Sequence, residues 1–315
     1  MEKILKSKLG MIIVAIFVTF LWGSAFPFIK LSYALLDIQA NEIGEQLLFA
    51  GYRFFLASIL ISFVLLIRYK KIVLQKNSIR PIMKIGLFQT ALQYFFFYIG
   101  LSYSTGIQGS IIAGGTGTFF AVILAHLFYR QSDAMSTRKI IGVFIGFIGV
   151  ILANIPQGQI ELQFGFGELF LLISALMGSL GNIYAKQYSH QFNPVYLTAF
   201  QMMLGSFFLL IVGIFKAGAF PFDFNFVSFG MLLYLSFLSA AGFTLWNSLL
   251  KYHKISLVSM FMFLIPVFGV SLSSMMLREA LTGLIFLALM FVITGIIIVN
   301  KSSKAQKEVK IPAPK

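Results

Sequence analysis

The sequence contains no cysteine, which excludes a disulfide framework, a thiolate nucleophile and any Cys-based metal centre. Charge is scarce too: 11% of residues are charged and 59% hydrophobic, whereas soluble proteins carry about 25% charged residues. That balance leaves almost nothing for a soluble domain. Acidic residues are the rarest charges, 10 against 24 Lys and Arg. His126, His190 and His253 are scattered without ligand spacing, and no HExxH pattern occurs, so metal and zinc-protease readings fall away. No GxxxxGK[ST] loop is present, so no ATP motor is built in. No cofactor is expected.

What is there reads as an integral membrane protein. Ten apolar segments can be drawn, each near the roughly 20 residues that cross a bilayer. They lie at about Met11–Tyr33, Glu45–Ile67, Ile82–Leu101, Ile107–Tyr129, Arg138–Ile155, Gly165–Gln187, Pro194–Lys216, Phe226–Leu249, Ser256–Leu277 and Leu281–Asn300. The first is too long for a signal-peptide core and is expected to be retained. With the N-terminus in the cytoplasm, 20 of the 24 Lys and Arg fall inside. Only Lys30, Arg53, Lys216 and Arg278 fall in outer or outer-half positions. The acidic residues Asp37, Glu42, Glu45, Glu161, Glu168, Asp223 and Glu279 fall outside. The cation bias sets orientation, so both termini are expected in the cytoplasm. The net charge of +14 then holds topology rather than nucleic acid.

The expected organisation is a basic arm (1–10), two five-helix repeats (11–155 and 165–300) and a basic tail (301–315) near anionic lipid. Adding 148 to Tyr52-Arg53-Phe54-Phe55-Leu56-Ala57-Ser58 lands on Phe200-Gln201-Met202-Met203-Leu204-Gly205-Ser206, with the same apolar, polar and small order. The same offset takes Thr118 to Pro266, and Gly23-Ser24 and Lys30 find echoes at Gly178-Ser179 and Lys186. Five helices per half is odd, so the halves are expected to lie inverted in the bilayer, an arrangement that places a site near the midplane. The fold class is therefore an all-α membrane protein of ten transmembrane helices.

Trp22-Gly23-Ser24, the Arg53 segment, the duplicated five-helix unit and Leu277-Arg278-Glu279 together resemble the EamA branch of the drug/metabolite transporter superfamily. The resemblance covers about Met11 to Asn300. It implies a ten-helix carrier of amino acids or other small metabolites, often an exporter. One departure stands out: the first half has Thr118 and Gln131 where the resemblance calls for a proline and an acidic residue.

The candidate substrate contacts start from Arg53, about 5 Å outward of mid-span at 1.5 Å per residue. A guanidinium at that depth faces a cavity or a partner; its blander role is to snorkel or pin carbonyls. Lys30 is shallower, about 12 Å from mid-span, where headgroup snorkelling is the default. Ser24, Gln89, Gln93, Thr116, Thr118, Asn182 and Gln201 stand at cavity depth, although interhelical hydrogen bonding is the commoner use of any one of them. Gln89 and Gln93, four apart, share a face. Trp22, Tyr94 and Trp246 are candidate cavity aromatics. Pro27 frees the Gly23 carbonyl and invites a kink. Gly114, Gly115 and Gly117 in helix 4, with Pro266 in its partner helix 9, read as flexible or discontinuous helix. Gly142, Gly146 and Gly149 read as a face that packs helix 5 on helix 10.

No carboxylate is expected at mid-span, whereas extrusion of lipophilic cations by proton exchange would call for one. The deep charge is positive, so the expected substrate carries an acidic group. Function is expected to be secondary transport by alternating access, with helices 1–4 and 6–9 lining the cavity, in the cell membrane. The partners expected are the bilayer, a small-molecule substrate and a coupling ion; nothing indicates a homodimer. The rivals are a multidrug exporter of lipophilic compounds and, from another class, a polytopic membrane enzyme or lipid-handling protein, which would need converging acid, base, nucleophile or metal groups. A channel is third, since no ring of charges appears.

Overall fold

A computed structural model describes residues 2–70, 74–153 and 165–300. The basic tail 301–315, Lys71, Glu161 and residues 154–155 lie outside the described residues. In chain order the elements are α1 (Glu2–Lys6), α2 (Lys8–Leu35), α3 (Ile43–Tyr69), α4 (Ile79–Ile85), α5 (Gln93–Ser102), α6 (Gly106–Tyr129), α7 (Thr137–Ala153), α8 (Phe166–Tyr188), α9 (Pro194–Ala217), α10 (Phe226–Tyr252), α11 (Ile255–Ser259), α12 (Leu264–Leu277) and α13 (Gly283–Asn300). A π-helical segment, Gly86–Leu92, joins α4 to α5, and a 3-10 turn, Met260–Phe263, joins α11 to α12. All regular structure among the described residues is helical.

Seven helices are long and apolar enough to cross a membrane: α2, α3, α6, α8, α9, α10 and the composite Ile255–Leu277. Exposed large apolar residues such as Phe63, Phe208, Phe215 and Phe237 cover their outer faces. In water so much exposed apolar area would be costly; in lipid it is the matched surface. The chain is a multi-pass membrane protein. The other three segments predicted from sequence are helical but differ in build. The third carries the π segment, the fifth is the 17-residue α7, and in the tenth the apolar helix is the shorter stretch Gly283–Gly295.

Local chemistry explains several helix starts. Thr105 and Gln108 form a reciprocal capping box at α6, which satisfies orphan N–H groups of the first turn. Asn193 caps α9 ahead of Pro194 at its first position, where a missing N–H costs nothing. Within the expected basic arm, residues 2–10 hold α1 and the start of α2. Leu5 is buried there, and its carbonyl lies 2.7 Å from His253 Nε2.

Small residues set how the helices meet. α3 and α9 run antiparallel: a Cβ at Gly44 would meet Lys216 and Ala217, one at Gly51 would meet Leu210, and one at Gly213 would stand 2.7 Å from the Leu48 Cα. α6 and the composite 255–277 are antiparallel too, with Gly106 against Ser273, Ser110 against Gly269, and Gly114 against Ile265 and Pro266. Gly142, Gly146 and Gly149 of α7 pack on α13 through Gly295, Ala288 and Val292, while Gly146 also meets Phe263. In a bilayer such close approach supplies the dispersion that holds helices together.

The packing repeats itself across the two halves. α5 packs on α8 as α10 packs on α2; α6 packs on α8 as α12 packs on α2; α3 packs on α10 as α9 packs on the π segment.

Two expectations about breaks need correction. α6 runs unbroken through Gly114, Gly115 and Gly117, because glycine keeps its N–H and removes only a side chain, so every ladder bond survives. The break lies in its partner alone. Pro266 has no N–H for the Met262 carbonyl, and the turn Met260–Phe263 tightens to 3-10 just ahead of it. α2 continues through Pro27 as one helix.

Candidate functional site

A cavity of about 80 Å³ lies between the two sets of helices. α2 supplies Trp22 and Phe26, α3 supplies Arg53, and α5 supplies Gln93, Tyr94 and Phe97. α6 adds Ala113, Gly114 and Gly117; α8 adds Ser174, Ala175, Gly178, Ser179 and Asn182; Phe243, Met262 and Ile265 complete the wall. α9, α7 and α13 supply none of these residues.

Arg53 is only 1% exposed. Its Nε donates to the Leu235 carbonyl at 3.1 Å and to Ser239 Oγ at 2.7 Å. One terminal nitrogen donates to the Tyr98 hydroxyl at 3.0 Å. The guanidinium also lies 4.9 Å from the Phe54 ring centre and 5.7 Å from that of Tyr94, so aromatic quadrupoles offset part of its charge. All these partners are neutral. The ion pairs found among the described residues are Lys6–Glu2 and Lys139–Asp133, and neither reaches the cavity. A buried cation held only by neutral groups is an incomplete arrangement.

Two further polar atoms of the wall lack partners: Trp22 Nε1 and Gln93 Oε1. Trp22 Nε1 lies against Gly242 and the Gln93 amide against Gly178, one unpaired donor and one unpaired acceptor among the residues of the wall. Gln89 and Gln93 do share a face, both packing on α8 at Gly181 and Gly178, yet only Gln93 reaches the cavity. Gln89 donates to Asn182 Oδ1 and Asn247 Oδ1 at 3.0 and 3.1 Å, and Asn247 donates back to it and to Thr198 Oγ1. That network ties the π segment to α8, α9 and α10.

The remaining sequence candidates sit outside the wall. Ser24 bonds the Leu21 carbonyl and the Tyr234 hydroxyl. Lys30 donates to the Leu101 carbonyl at 3.3 Å. Thr116 bonds the Ile112 carbonyl of its own helix, and Thr118 donates to the Ser259 carbonyl at 3.0 Å. Gln201 accepts from Thr90 at 2.7 Å, and Trp246 is fully buried against Trp22. Gly115, Pro27 and Pro266 are packed within their helices rather than exposed to the cavity, Pro266 lying against Gly114.

Sequence reasoning missed Tyr98, Ser239, Phe97 and Phe243. Only the four-residue spacing of Tyr94 and Tyr98 hinted that both share the Arg53 side. It also missed Asp133. This residue, two after Gln131, supplies the first-half carboxylate that Gln131 lacks, bonding Ser256 and Lys139. Among the described residues no group of His, Asp or Glu is arranged to hold a metal ion.

Comparison with known proteins fits this geometry. The chain is 29% identical over 318 residues to "Uncharacterized transporter YvbV" of Bacillus subtilis (strain 168), covering 99% of this chain and 97% of that one. It is 23% identical over 313 residues to a protein of Escherichia coli (strain K12) named "Probable amino-acid metabolite efflux pump", covering 95% and 97%. A protein of known crystal structure superposes with a TM-score of 0.74 at 14% identity, over 96% of this chain and all of the other, which supports the fold. The model of the EamA-like transporter family matches twice, at residues 9–155 and 165–301. The chain belongs to the EamA-like transporter family, within the drug/metabolite transporter superfamily.

Proposed function

We propose that this transporter moves small metabolites bearing a carboxylate or similar acidic group, by alternating access around the Arg53 cavity. Arg53 carries the reading: a guanidinium buried in the cavity wall, bonded to neutral groups only, is completed by an anion. Trp22 Nε1 and Gln93 Oε1 would take a second acceptor and a donor of the same molecule, such as the hydroxyl or amine of an organic or amino acid. The relative named as an amino-acid metabolite efflux pump lends the class support and favours export.

The frame for this reading is ten membrane-crossing helices in two inverted five-helix repeats, 11–155 and 165–300, with both ends in the cytoplasm and the protein in the cell membrane. The mirrored packing of the halves supports it. No covalent step is needed, so the protein is not an enzyme on this reading; an ion gradient or the substrate's own gradient drives the cycle. The cavity must widen to admit a metabolite, which is the motion that alternating access supplies.

The aromatic wall of Trp22, Phe26, Tyr94, Phe97 and Phe243 favours one second reading, export of lipophilic compounds. A thermal-shift screen of purified protein against amino acids, organic acids, lipophilic cations and nucleosides separates the two. A ligand at 100 times its dissociation constant stabilises by about 2.7 kcal/mol. Stabilisation by acidic or zwitterionic metabolites that vanishes in Arg53→Ala supports the first reading. Stabilisation by lipophilic cations alone overturns it, as does unchanged transport of an anionic substrate by Arg53→Ala in proteoliposomes.

A further inference from the structure

Two helix–turn–helix connections, one at each end of the bundle, are gripped at both of their dipole ends by side chains of other helices and of the residues that follow them. At the end bearing α1, α10 turns into α11 through His253 and Lys254. There Lys186 Nζ donates to the Leu250 and His253 carbonyls at 2.8 and 2.6 Å. Asp133 accepts from the Ser256 backbone N–H at 3.0 Å and from the Ser256 hydroxyl. At the opposite end α5 turns into α6. Lys30 Nζ donates to the Leu101 carbonyl, and the Glu279 carboxylate accepts from the Gly106 and Ile107 N–H groups, one on each oxygen, at 2.8 Å. In each case a cation sits on a helix C-terminus and an anion on the next helix N-terminus, the favourable pairing with both helix dipoles.

Where the gripping residues come from matters more. α5 and α6 pack on α8, and α10 and α12 pack on α2; the two groups meet where α6 packs along α11 and α12, and both contribute to the cavity wall. Lys186 lies on α8 and Asp133 just beyond α6, so the first group grips a turn of the second. Lys30 lies on α2 and Glu279 just beyond α12, so the second group grips a turn of the first. Each clamp joins the two groups at one end only, and the two clamps exchange places under the repeat. Asp133 is buried and also paired with Lys139 at 2.8 Å, so its carboxylate is held by three donors.

We infer that the two clamps are the gates of the transport cycle. Release of Asp133 and Lys186 opens the cavity toward the end bearing α1, and release of Glu279 and Lys30 opens it toward the other. The inference rests on the alternating-access reading, because only a carrier must open its ends in turn.

The absence of cysteine makes the test direct. A single thiol introduced by Ser174→Cys, in the cavity wall, is labelled with a membrane-impermeant maleimide in vesicles of either orientation. Asp133→Asn is expected to raise labelling from the α1 end and lower it from the other, by about tenfold in the ratio, since loss of a charge-assisted contact biases a two-state equilibrium on that order. Glu279→Gln is expected to do the reverse. Equal change from both sides, or no change, with only a lower thermal midpoint, overturns the inference and leaves the clamps as static staples. Should Asp133→Asn fail to fold, Lys186→Met breaks the same clamp from its other pole and must give the same sidedness. Labelling requires no substrate, so the gates fail on labelling alone. The carrier reading fails separately, if the unaltered protein in liposomes moves none of the compounds that stabilise it.

Discussion

Arg53 on α3 and Gln201 on α9 occupy the same place in the two halves and do different work. Arg53 donates to Ser239 on α10, while Gln201 accepts from Thr90 in the π segment; each joins the second helix of its half to the third of the other. The wiring is symmetric and the side chains are not. Only the arginine reaches the cavity, whereas α9 adds nothing to the wall. By contrast, Lys30 and Lys186 each sit on a helix C-terminus, and Glu279 and Asp133 each accept from the first N–H groups of the next helix. If the clamps are the gates and Arg53 meets the substrate, as proposed, the halves divide the labour: the gating pairs are doubled and the charge-recognising residue is single. One central cavity has room for one guanidinium, and a second would add an uncompensated charge.

The largest effect tests that last point. Gln201→Arg buries a second guanidinium with no anion nearby and is expected to destabilise by about 3–5 kcal/mol, seen as loss of monodisperse protein in detergent. A stable, active variant would break the argument that the charge must be single. Next, Arg53→Gln makes the first half copy the second. It is expected to cut kcat/KM for an anionic substrate by roughly ten- to hundredfold, the equivalent of about 1.5–3 kcal/mol for a charged hydrogen bond. Unchanged transport would leave the asymmetry without function.

Gly213→Ala sharpens the frame rather than the site. Its Cβ would stand 2.7 Å from the Leu48 Cα, so separation of α3 and α9 is expected to cost about 1–3 kcal/mol, read as a lower thermal midpoint. Gln89→Leu leaves Asn182 and Asn247 short of partners, at about 1–3 kcal/mol, and is expected to spare ligand-induced shifts more than Arg53→Gln does. The smallest and most symmetric effect belongs to Lys30→Met and Lys186→Met. Each removes a cation from a helix C-terminus, at about 0.3–1 kcal/mol, and the two midpoints are expected to fall alike. Strongly unequal losses would show that the paired clamps are not equivalent.

Much of the frame was legible because bilayers constrain composition. A membrane-crossing helix must be apolar over its length, so the helices fell close to where hydropathy drew them, with α2 and α3 extending past Met11–Tyr33 and Glu45–Ile67. Arg53 stood out for the same reason, since a deep charge is costly wherever it points. Less legible were the fates of Ser24, Thr116, Thr118 and Gln201. A hydroxyl or amide in a helix satisfies itself equally well on a neighbouring helix or on a ligand, and spacing does not choose between them. The helix breaks misled in the opposite sense: a run of glycines looks flexible in sequence, yet in α6 it serves close packing, and the proline of the partner helix makes the only one of the two breaks.

By itself, then, the sequence determined the class of the protein, its apolar helices, the doubling of the chain and the one deep cation, because each follows from residue chemistry along a single segment. The tertiary structure alone decided which polar residues face the cavity and that Asp133 and Glu279 grip helices of the opposite half. Those contacts join Asp133 to Ser256 and Glu279 to Gly106, far apart in the chain. No local period or propensity records a partner at that distance, and only packing brings the two together.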